Sequence, residues 1–146
     1  MITFHNIDKN DAKELSRLDE KCFSSPWSEA SFSNEASNPL AQYVIAKADE
    51  KVVGYAGFWQ VVDEGQITNI AVLNEYRRKG IARQMLEILI QKAKERQISV
   101  LSLEVRESNF SAISLYEKFE FHKVGLRKDY YKNPTENAVL MDLTIS

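Results

Sequence analysis

Arg77, Arg78 and Lys79 stand directly before Gly80 in the stretch EYRRKGIARQML, residues 75–86, and Arg83 follows one turn later. The apolar spacing after Gly80 reads as a helix. Cations are unfavourable at a helix start, where the backbone dipole is already positive, so their crowding points to a bound anion. A polyphosphate fits. Unpaired backbone N–H groups at a helix start converge on phosphate oxygens, a glycine without Cβ lets the ligand come close, and guanidinium groups meet phosphate in bidentate contacts. The pattern is [QR]-x-x-G-x-[GA], carried by Arg77, Gly80 and Ala82. Neither G-x-x-x-x-G-K-[ST] nor a G-x-G-x-x-G after a strand occurs in the chain.

The anion site must be local, because 19 basic residues face 21 acidic ones for a net charge of -2. That balance counts against nucleic acid as a partner, though a nucleic-acid-binding module using the basic loop stays open as a reading from another class. At 146 residues and 44% hydrophobic, the chain suits one domain spanning residues 1–146 with a full core. Its apolar runs are short and its first residues lack a basic, then apolar, leader, so no membrane association is expected and a cytoplasmic location is. His5 and His122 have no partner at ligand spacing, and no metal is expected. The single cysteine, Cys22, shares a helical face with Leu15 and Leu18 and reads as core packing.

The elements that must hold the loop alternate along the chain. ITFHNI reads as a strand, DKNDAKELSRLDEKCF as a helix, and SPWSEASFSNE as a second helix capped by Ser28. QYVIAKAD and KVVGYAGFWQVV form a hairpin around the turn DEK, and QITNIAVL follows the turn DEGQ. Residues 80–97 carry Ile81, Met85, Ile88, Leu89 and Ala93 on one stripe, as an amphipathic helix does. SVLSLEV is a strand, SNFSAISLYEKF a short helix, and FHKVGLRKDYY and NAVLMDLTI two last strands. The order βααβββαβαββ predicts an α+β fold with a mixed, mostly antiparallel sheet, parallel only at the helix crossover.

From Asn69 to Tyr131 the chain resembles the GNAT acetyltransferases, and within them the ribosomal-protein N-terminal alanine acetyltransferases. NIAVLNEYRRKGIARQML, LEVRESNFSAISLYEKFEF, RKDYY and ENAVLM carry the resemblance, with FSSPWSEASF upstream. It implies a GNAT fold, acetyl-CoA as cosubstrate, and the N-terminus of a protein, a small-subunit ribosomal protein starting with alanine, as acceptor. It implies that the backbone of Ile70, Ala71 and Val72 pairs with the pantetheine arm. Arg78, Lys79, Gly80, Ile81, Ala82 and Arg83 would hold the pyrophosphate, and Asn109 would add a side-chain contact. Glu104 would accept the amine proton and Tyr116 would face the sulfur as donor. Trp27, Tyr130 and Tyr131 are candidate walls of the peptide channel. Two positions depart from the family pattern. Glu120 replaces the usual glycine before phenylalanine, so that turn should be built differently, and Asn137 stands where aspartate is common.

The amine can be argued from reference acidities. A peptide α-amine, pKa about 8, is substantially neutral near pH 7, whereas lysine at about 10.4 is neutral about one time in a thousand. One carboxylate suits the α-amine better. Transfer to lysine side chains or a small-molecule amine is the alternative enzyme reading.

Overall fold

The computed structural model describes residues 1–145. The predicted order holds throughout: β1 (Ile2–Asn6), α1 (Ala12–Cys22), α2 (Glu29–Ala36), β2 (Ala41–Ala48), β3 (Lys51–Val61), β4 (Glu64–Val72), α3 (Ile81–Glu95), β5 (Val100–Arg106), α4 (Phe110–Lys118), β6 (His122–Tyr131) and β7 (Glu136–Thr144). Single 3-10 turns at Lys9–Asp11 and Asn74–Tyr76 lead into α1 and out of β4. Ser28 caps α2 by accepting from the backbone of Ser31.

All seven strands lie in one sheet, in the order β1-β2-β3-β4-β5-β7-β6. Every neighbouring pair is antiparallel except β4 and β5. Successive residues of β3 point to opposite faces, which shows what covers each. A Cβ added at Gly54 would lie 3.4 Å from Met85 of α3, whereas Tyr55 bonds Asp19 of α1 and packs edge-on against Phe32 of α2. With α3 on one face and α1 and α2 on the other, Val52 to Phe58 are all buried. On α3 the buried stripe is Ile81, Met85, Leu86, Leu89 and Ala93, with Ile88 half-buried at its edge. No helix among the described residues is long and apolar enough to cross a membrane.

Two turns differ from expectation. The β3–β4 connection is tighter than the stretch DEGQ predicts: Val61 pairs with Glu64, so Glu64 to Gln66 belong to β4 and the turn falls on Val62 and Asp63, with Val62 at φ 58°. The turn at Glu120 is not rebuilt for want of glycine. Glu120 itself takes the left-handed conformation, φ 72°, that a glycine would adopt without steric cost.

Candidate active site

β4 and β5 are paired at three positions only, Glu64 with Val100, Gly65 with Leu101 and Gln66 with Ser102. Beyond Gln66, β4 runs on to Val72 still paired with β3, while β5 runs on to Arg106 paired with β7. The two strands therefore diverge, and the β5-facing edge of β4 is left without a strand partner. A cleft of about 950 Å³ opens there.

Ile70, Ala71 and Val72 line it from β4, Arg78 and Gly80 from the loop, and Ile81, Ala82 and Arg83 from the first turn of α3. Lys79 is not among the lining residues. Gly80 caps α3 at φ 78°, and a Cβ there would meet only Gln84, 3.9 Å away. The position thus demands glycine for its backbone angle and opens onto space. Arg78 is also left-handed, φ 63°. Arg77 turns back, its Nε donating to the carbonyl of Val72 at 3.0 Å, so it braces the strand end. Cys22 is a half-buried cleft residue beside that carbonyl rather than fully core, and burial pushes its thiol up, away from the reactive thiolate.

The other wall is α4. Asn109 caps it, its Oδ1 accepting from the backbone of Ala112 at 3.3 Å, and lines the cleft. Ser111, Ser114, Leu115 and Lys118 recur at helical spacing on the same side, a stripe visible in the sequence only as that spacing. Tyr116 is buried against Phe121 and lines the cleft. Burial raises its phenol above the ordinary value, with Tyr131 adding to the effect. Among the described residues no protein group hydrogen-bonds its hydroxyl.

Glu104 lies on β5 beyond the last β4 pair, paired with Leu140 of β7. Its Oε2 is buried and receives no hydrogen bond among the described residues. The Arg127 guanidinium comes to 3.5 Å, an ion-pair distance without hydrogen-bond alignment. Tyr130 and Tyr131 pack edge to face at 5.1 Å. Burial first and the Glu104 charge second raise both phenols, Tyr131 to about 12. So Glu104, Tyr130 and Tyr131 cluster beside the cleft rather than in its lining, and Tyr131 acts on Tyr116 through charge. Trp27 stands apart from the cleft lining, stacked on Trp59 at 6.1 Å and tilted against Phe32 at 5.4 Å. Its backbone N–H donates to Asp19, a fully buried carboxylate that also accepts from Tyr55. Asn137 accepts from the backbone of Asp129 and donates to Glu107, tying β6 to the segment before α4.

The chain is similar to the [ribosomal protein bS18]-alanine N-acetyltransferases of Haemophilus influenzae, at 37% identity over 97% of each chain, and of Escherichia coli, at 32% over 100% of this chain and 99% of that one. It superposes on the crystal structure of the ribosomal-protein-S18-alanine N-acetyltransferase from Escherichia coli with a TM-score of 0.91, covering 100% of this chain and 95% of that one at 32% identity. At 22% identity it shares its fold, TM-score 0.87, with a chain of the NatC complex solved with Gag peptide and CoA over 99% of both chains. The profile of one family matches residues 12–121, and by that match and those relatives the chain belongs to the acetyltransferase (GNAT) family.

Proposed function

We propose that this acetyltransferase transfers the acetyl group of acetyl-CoA to the α-amine of an N-terminal alanine, that its substrate is a small-subunit ribosomal protein, and that it works in the cytoplasm as one domain. The observation that carries the reading is Glu104 Oε2, a buried carboxylate oxygen that has the Arg127 charge at 3.5 Å but receives no aligned hydrogen bond, because a buried acceptor without one is costly unless a ligand supplies the hydrogen. An amine, directly or through one water, supplies it. Names of relatives more than 30% identical support the choice of amine.

The residues present fit acetyl-CoA. The free edge of β4 at Ile70 to Val72 offers backbone groups to an extended arm, as a missing strand would be offered them. The amides after Gly80, with Arg78 and Arg83 beside them, suit a pyrophosphate. When bound, the cosubstrate supplies an acyl thioester. Glu104 then takes the proton of the attacking amine. Tyr116, its phenol raised by burial, stays protonated and donates a hydrogen bond to the departing sulfur. Full proton transfer, uphill by about 2 kcal/mol for unperturbed groups, is dearer still for a raised phenol. Tyr130 and Tyr131 wall the peptide beside Glu104, and Trp27 borders its approach.

Initial-rate kinetics on a peptide with a free N-terminal alanine, beside the same peptide blocked at its N-terminus and carrying a lysine, tests this. Glu104→Gln should lower turnover by about 10²–10⁴ with acetyl-CoA affinity unchanged, and raising the pH should partly rescue it by neutralising the amine. Normal turnover would remove Glu104 from the role of base. Preference for the blocked lysine peptide would overturn the α-amine reading.

A further inference from the structure

Arg106 follows Glu104 by two positions on β5, so the strand's period of two puts both side chains on the same half-buried face. From there its guanidinium reaches the hairpin that joins β6 to β7. Nη2 donates to the carbonyl of Lys132 at 2.8 Å, and Nη1 donates to the carbonyl of Pro134 at 3.0 Å and to Glu136 Oε1 at 3.3 Å. Its face covers the Tyr131 ring, 4.5 Å from the centroid. The hairpin has little ladder of its own at this point. The β6–β7 register breaks between the pair Arg127 with Ala138 and the pair Tyr131 with Glu136, and Asp129 and Asn133 both adopt left-handed backbone. Glu136 is fixed from the other side by the backbone N–H of Ser108. The Glu104 charge raises the phenol of the ring that Arg106 covers, and that ring in turn raises the phenol of Tyr116, so it lies within electrostatic reach of both.

We propose that Arg106 is a positioning residue for acyl transfer, holding the 131–136 hairpin so that Tyr131 forms the wall between Glu104 and Tyr116. The proposal rests on the reading of Glu104 as the base. A planar fork that bonds two carbonyls and a carboxylate while lying flat on a ring has no equivalent in lysine, which keeps the charge and loses the shape. Lys132 and Pro134 are exposed and Tyr131 and Glu136 half-buried, so releasing them leaves the core intact.

Steady-state kinetics on the free-alanine peptide should be run for Arg106→Lys, Tyr131→Ala and the double variant, with Glu104→Gln as reference. Arg106→Lys should raise peptide KM about tenfold or more, since a small misplacement of a substrate wall is costly. Acetyl-CoA affinity should stay unchanged by titration, and the substitution should add no further loss once Tyr131 is alanine. Additive losses, or an unchanged KM beside an inactive Glu104→Gln, would overturn the proposal. Full activity of Glu104→Gln would instead sink the base reading, and the proposal with it.

Discussion

Along one side of the cleft β4 and the start of α3 present mainly backbone, whereas the cluster beside the cleft on β5, β6 and β7 presents side chains held by other side chains. On the first side the determinants are a free strand edge from Ile70 to Val72 and a left-handed Gly80. On the second, Arg106 covers Tyr131 and bonds Glu136, while Arg127 pairs with Glu104 and lies over Tyr130. Backbone groups are the same whatever the residue, so the first side tolerates loss of single side chains. The second side does not, because each group there is placed by a specific partner.

The sharpest way to break this contrast is at the loop. Gly80→Val forces a β-branched residue into a left-handed angle and puts its side chain into space that opens on the cleft, so CoA affinity should fall by about 2 kcal/mol or more. Arg78→Ala removes one exposed cation and should cost under about 1 kcal/mol. Paired calorimetric titrations decide; equal losses would mean that side-chain charge, not backbone, dominates that side.

Next comes Asp19, which anchors the Trp27 backbone and Tyr55. Asp19→Ala leaves both donors unpaired and should destabilise by about 2 kcal/mol, by denaturant unfolding. Burial raises the Asp19 carboxyl above its ordinary 3.8, so the folded state holds that proton more tightly than the unfolded one. The wild type should therefore lose stability relative to the variant as pH rises from 3.8 through the folded value. A gap that widens over that window would show that hydrogen bonding, not burial, governs the carboxyl.

The smallest effect is expected outside both sides. Glu120→Gly relieves a left-handed non-glycine residue and should stabilise by about 1 kcal/mol, a rise in melting temperature with kinetics unchanged.

The fold was legible because periodicity is local. Ser28 capped the helix it was expected to cap, and the α3 stripe appeared with Leu86 added. The turn at Val62 was not legible, since a β-branched residue at positive φ runs against every turn preference. At the site, the loop announced itself through crowded charge, and Glu104 and Tyr116 only through the resemblance. Asp19 gave no signal, because an aspartate on an amphipathic helix reads as solvent-facing until its partners, Trp27 and Tyr55, are folded against it. Arg106 was hidden for the same reason: its hydrogen-bond partners lie 26 to 30 residues further along the chain.

The short β4–β5 seam also governs how the chain can assemble. β2, β3 and β4 meet through tight turns, so their pairing closes small loops and can form early. β5 reaches β4 only after the whole α3 crossover, and three parallel pairs are a small return for closing that loop. Its longer partnership is with β7, seven pairs formed from the last segment of the chain. The parallel join is thus placed to close late, once β5 and β7 have found each other, and the gap beside β4 is the part of the sheet that folding leaves unzipped.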